Sequence, residues 1–101
     1  MSGVFRALAD PTRRRVLALL REKPMSAGEL ADQFDVSRPT MSAHFNVLRE
    51  AGLIDATKHG KTIMYRLKMS VLEEALMGLA QTVGLQFETR PSEGTRKEEG
   101  Q

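Results

Sequence analysis

Apolar residues recur along most of this chain at intervals of three and four, then at intervals of two, then at three and four again. Val4, Phe5 and Leu8 predict a short first helix over residues 3–9. In DPTRRRVLALL, Asp10 stands where an N-cap belongs and Pro11 takes the first helical position, where a missing N–H costs nothing. Val16, Leu17 and Leu20 form the inward stripe of that second helix, which is expected to end near Glu22, ahead of Pro24. SAGELADQF opens with Ser26 and Glu29 at capping-box spacing and turns Leu30, Ala31 and Phe34 inward. Only Asp35 and Val36 then precede Ser37, the cap of a fourth helix over residues 37–51, with Pro39 in its first turn and Gly52 as its stop. From Ile54 to Leu67 the period drops to two, and KHGK at 58–61 supplies a glycine-centred turn. That predicts a two-stranded hairpin with a basic tip. SVLEEALMGLAQTVGL is read as a last helix, with Ser70 and Glu73 as a second capping box and Leu72, Ala75, Leu76, Leu79 and Val83 along one face.

Two helices joined by a tight turn, the second ending on Gly-Leu before a basic hairpin, describe a winged helix-turn-helix: mainly α, five helices, with a small β-hairpin wing over residues 54–67. In the fourth helix Met41, Phe45 and Leu48 point one way and Pro39, Ser42, Ala43 and Asn46 the other, with Arg38 and Arg49 on one flank. A merely solvated helix favours long charged side chains; this one carries short polar groups, which let a helix sink into the major groove of duplex DNA, about 12 Å wide. Arg38, Thr40, Ser42, Ala43 and Asn46 are the candidate base readers. Ala43 suits a thymine methyl, and Arg38 suits guanine or phosphate. Lys58, His59 and Lys61 at the hairpin tip are placed for sugar-phosphate or minor-groove contact.

Charge and composition narrow the field. The chain of 101 residues carries +2, with no cysteine. That count removes disulfides, thiolate metal sites and cysteine nucleophiles. Residues 86–101 hold three basic and four acidic side chains, a balance of −1, so residues 1–85 carry +3, which suits phosphate binding. This terminal stretch, polar and containing Pro91 and Gly94, is expected to be a disordered tail after one domain over residues 1–85. No apolar run reaches the ~20 residues of a membrane span, and the N-terminus has no signal-type apolar segment, so the simplest reading is a cytoplasmic protein. No nucleophile–base pairing or phosphate-binding glycine loop suggests an enzyme.

FRALADPTRRRVLALL, SAGELADQF, SRPTMSAHFNVLREAGLI and KHGKTIMYRL together resemble the ArsR/SmtB family of bacterial repressors over residues 3–85. The resemblance implies a homodimer built by the first and last helices, an operator of inverted-repeat character, and repression relieved by an inducing signal of unknown identity. Metal sensing in the family relies on a cysteine motif in the third helix or on His and carboxylates along the last. Here the third helix reads GELADQF and the last has Glu73 and Glu74 but no His. No metal site or cofactor is therefore expected, and the chain is most similar to the branch of SdpR-type autorepressors, short members without metal ligands.

The remaining features have plainer readings. Arg13, Arg14 and Arg15 fan out around a helix, so Arg13 is expected in an ion pair near the Asp10 cap and the others in solvent or at the edge of DNA. His44 and Tyr65 are read as packing residues, and the six methionines as core and interface filler. The stripes of Val4, Phe5 and Leu8 and of Leu72, Ala75, Leu76, Leu79 and Val83 exceed what one small core absorbs and are candidates for the dimer interface. Two alternatives stay open: a winged-helix protein-interaction module that never touches DNA, and a repressor with an effector at an unusual site.

Overall fold

Side-chain caps decide where most of the helices begin. Residues 2–85 are described by a computed structural model. In chain order they form α1 (Ser2–Leu8), α2 (Pro11–Glu22), β1 (Met25–Ser26), α3 (Ala27–Ala31), α4 (Arg38–Glu50), β2 (Ile54–His59), β3 (Thr62–Leu67) and α5 (Met69–Val83). Asp10 Oδ2 accepts the Arg13 N–H at 3.1 Å and so opens α2 behind Pro11. That N–H holds the Asp10 carboxyl below the ordinary carboxylate range. In the capping box of α3, the Glu29 N–H donates to Ser26 Oγ at 3.0 Å and the Ser26 N–H to Glu29 Oε1 at 2.9 Å. Ser37 Oγ accepts the Thr40 N–H at 3.3 Å to start α4, which stops before Gly52 at φ 79°.

The core gathers one stripe from each element. Val4, Val16, Leu30, Met41, Leu48, Leu53 and Ile54 are fully buried. Phe45 lies against Tyr65 with ring centroids 4.9 Å apart, and burial raises the pKa of the Tyr65 hydroxyl. The sheet runs β1-β3-β2, all antiparallel. The third strand is an addition to the hairpin read from the sequence: Met25 pairs with Tyr65 and Ser26 with Met64. Two residues are too few to display a period, so only the tertiary pairing reveals β1.

Four expectations need correction. The helix α3 ends at Ala31 rather than continuing to Phe34; Gln33 and Phe34 N–H bond back three residues, to Leu30 and Ala31, which tightens the chain into a turn. The helix α5 is not started by Ser70. Its N-cap is Lys68, without a side-chain bond, because the Lys68 N–H is tied to Leu53 O at 2.8 Å and commits the chain to turn there. The Arg13 side chain does not pair with Asp10; its Nε donates to Ala7 O and Nη2 to Arg6 O, at 2.9 and 3.0 Å. Arg14 is bound too, Nη1 donating to Leu8 O at 2.9 Å, while the Arg15 guanidinium sits 5.6 Å from the Phe34 ring centroid. Helices leave their last carbonyls unpaired; two arginines of α2 satisfy those of α1. The predicted tail, 86–101, lies outside the described residues.

Leu48 is wholly buried beside Met41 and Phe45. Leu48→Ala is expected to lower the unfolding free energy by about 3 kcal/mol, read as a shift of the urea midpoint at constant slope.

Candidate nucleic-acid interface

Burial sorts α4 cleanly into two sides. Met41, Phe45 and Leu48 are in the core, whereas Arg38, Pro39, Thr40, Ser42, Ala43, Asn46 and Arg49 are all exposed. Every residue that the sequence pattern placed on the reading face of this helix is therefore on its free surface. His44 and Val47 are half-buried on the shoulder between the two sides. At the N-terminus, Ser37 Oγ also donates to Thr40 Oγ1 at 2.9 Å. Thr40 accepts that bond and keeps its own hydroxyl proton to donate outward.

Arg38 points back toward α3, with Nη2 3.4 Å from Asp32 Oδ1; about seven-tenths of each side chain is exposed. An ion pair this exposed contributes at most about 1 kcal/mol. It therefore orients the guanidinium without trapping it.

The wing follows directly. Gly52 N–H bonds Arg49 O at 2.9 Å and Leu53 N–H bonds Leu48 O at 3.0 Å, so the end of α4 sets the direction of β2. His59 pairs with Thr62 across a two-residue turn, in which Gly60 has φ 62°. Lys58, His59 and Lys61 are exposed around it, and none is in an ion pair among the described residues. Thr62 joins them as an exposed neighbour, a position revealed by strand register and by no motif. At the wing's base, Asp55 faces Arg66 across the strands and lies 3.8 Å from Lys68 Nζ, so its negative charge is answered locally. Among the described residues no three His, Asp or Glu side chains come together as a metal-binding group.

A reading helix held by one apolar stripe, preceded by a capped helix and a turn and followed by a basic hairpin, defines a winged helix-turn-helix DNA-binding protein. A family model described as a helix-turn-helix domain matches residues 8–56. The transcriptional repressor SdpR of Bacillus subtilis (strain 168) is 41% identical over 76 residues, spanning 75% of this chain and 84% of that protein. The HTH-type transcriptional regulator CmtR of Mycobacterium bovis is 40% identical over 83 residues, 82% of this chain and 70% of its own length. Among solved structures, an ArsR-like transcriptional regulator from Rhodococcus sp. RHA1 superposes with a TM-score of 0.72 at 34% identity, covering 82% of this chain and 78% of that one. The chain belongs to the ArsR/SmtB family of winged-helix transcriptional repressors, and is a regulator rather than an enzyme.

Asp32 is the acidic group that stands beside the exposed Arg38 of α4. Asp32→Asn is expected to leave the unfolding free energy within about 0.5 kcal/mol of the parent in a thermal melt. The same variant should bind duplexes of any sequence more tightly in a low-salt shift assay, since one charge that repels phosphate is gone.

Proposed function

We propose that the protein represses transcription as a homodimer that occupies an operator of two-fold symmetry, its own promoter among the targets. The supporting observation is the exposed face of α4, short and polar, backed by a stripe that is wholly in the core. In the major groove Arg38, Thr40, Ser42, Ala43 and Asn46 read base edges, Pro39 keeps the entering turn narrow, and Arg49 holds phosphate. Lys58, His59 and Lys61 follow the backbone or the minor groove. The protein acts in the cytoplasm, where a bacterial promoter is, and no described helix is long and apolar enough to cross a membrane.

The reason for a dimer lies on α5. Met69, Leu72, Leu76, Leu79 and Val83 fall at alternating steps of three and four, the seam spacing of paired helices. Leu76, Leu79 and Val83 are 41%, 44% and 58% exposed in the isolated chain, and Phe5 of α1 is exposed as well. Val4 and Ala75, by contrast, are 1% and 2% exposed because the protein's own core takes them. Leu8 and Leu72 are half-buried at the margin. The proposed contact thus centres on Phe5, Leu76, Leu79 and Val83. Pairing these stripes across a two-fold axis sets two reading helices one helical turn of DNA apart, ~34 Å. Two heads are needed because one reads too few base pairs to stand out against a genome of competing sites.

Arg38→Ala and Ser42→Ala are each expected to weaken specific binding by about 1–3 kcal/mol, while Lys61→Ala weakens binding to all sequences alike and flattens its salt dependence. Gel-shift titrations on operator and random duplexes at two salt concentrations separate these cases. Equal losses on both duplexes from Arg38→Ala would refute base reading by Arg38. In sedimentation velocity the parent should run as a dimer and the Leu76→Glu/Leu79→Glu variant as a folded monomer with much reduced operator affinity. A monomeric parent would refute the seam.

A further inference from the structure

Behind the reading helix lies a polar cluster that base contact does not explain. The Arg13 guanidinium uses all three of its nitrogens: Nε on Ala7 O at 2.9 Å, Nη2 on Arg6 O at 3.0 Å, and Nη1 on His44 Nδ1 at 3.1 Å. It thereby joins the last turn of α1 to the half-buried shoulder of α4. A guanidinium can only donate, so His44 Nδ1 must offer a lone pair. In this arrangement the imidazole is neutral and its proton is on Nε2. Asp10 Oδ2 waits 3.9 Å from the same Nδ1. The charged groups that the described residues set against this ring are Asp10 and Arg13, both at the start of α2; α1 contributes the backbone carbonyls of Arg6 and Ala7.

We propose that Arg13 is a positioning residue for DNA recognition: through neutral His44 it holds α4 at a set angle to α1, and a proton on His44 Nδ1 releases that bond and weakens operator binding. The proposal rests on α4 being the DNA-reading helix. Once Nδ1 carries hydrogen, donor faces donor and two cations face each other. The nearby acceptor is Asp10, whose carboxylate the Arg13 N–H keeps ionised at mildly acid pH. The ring turns from Arg13 to Asp10, and α4 stays tied to α2 while the polar tie through Arg13 to the end of α1 is lost, leaving only their apolar contact in the core. Because α1 carries Phe5 of the proposed dimer seam, the same bond couples the spacing of two subunits to the angle of each reading helix.

The chain has two histidines, and they oppose each other in sign. A proton on exposed His59 adds positive charge at the wing tip and strengthens phosphate contact, so the test is made in a His59→Gln background. Operator affinity is measured by fluorescence anisotropy between about pH 8 and about pH 5.5, a range that brackets ordinary imidazole titration and spares ordinary carboxylates. The His59→Gln protein is expected to lose about tenfold in affinity across this range, the effect of one hydrogen bond to a charged group. Adding His44→Asn should keep the affinity near pH 8 and abolish the loss, since the amide oxygen accepts from Arg13 and does not titrate. Arg13→Lys, checked for folding by circular dichroism, should bind weakly at both ends with little pH dependence, because an ammonium cannot span the three acceptors. A flat profile in His59→Gln, or an undiminished acid loss with His44→Asn, overturns the proposal while leaving α4 as the reader. Absence of any duplex binding near pH 8 overturns both.

Discussion

The geometry of the candidate DNA-binding face depends on the backbone of Leu53. Its side chain is fully buried, its N–H closes the end of α4 on Leu48 O at 3.0 Å, and its carbonyl receives the Lys68 N–H at 2.8 Å. The helix α4, the wing and α5 therefore meet at one residue whose backbone groups are both satisfied. Gly52 makes this possible, since the reversal between α4 and β2 needs φ 79°, a conformation that a Cβ disfavours. Burial of Met41, Phe45 and Leu48 fixes the rotation of α4, and the Leu53 joint fixes its end.

From that joint outward the molecule has two surfaces of opposite chemistry. The face of α4 and the wing tip are short, polar and basic, and the described residues leave their charges unpaired or only weakly paired. The outer stripe of α5, with Phe5 beside it, is apolar and uncovered. Phosphate attraction is long-ranged and indifferent to sequence, whereas close approach by small side chains is short-ranged and selective. A protein that recognises an operator needs both, and the proposed dimer would apply both twice. The short α1 could not persist alone at seven residues. It is held by Val4 and Ala7 in the core and by arginines on its last carbonyls.

The parts legible in the sequence were those that local physics decides. The caps at Asp10, Ser26 and Ser37 and the stop at Gly52 were readable because each depends on residues within three or four positions. The two faces of α4 were readable because 3.6-residue periodicity separates them without help from the rest of the fold. The same reasoning failed at Ser70, where a plausible capping box lost to the backbone bond that the Lys68 N–H donates to Leu53 O, far away in sequence. It also misread Arg13 and Arg14: an ion pair with Asp10 was expected of the first and solvent or the edge of DNA of the second, yet both donate to carbonyls of the preceding helix.

By itself, then, the order of amino acids determined the class of fold, the positions of most helix ends and which residues line the exposed face of α4. These follow from steric and hydrogen-bonding preferences acting over one or two turns. Tertiary structure alone decided that Val4 and Ala75 belong to the core while Phe5, Leu76, Leu79 and Val83 remain outside it, that β1 pairs with the wing, and that His44 meets Arg13. Each of those outcomes depends on which distant segments compete for the same space or the same lone pair. Local pattern carries no record of that competition.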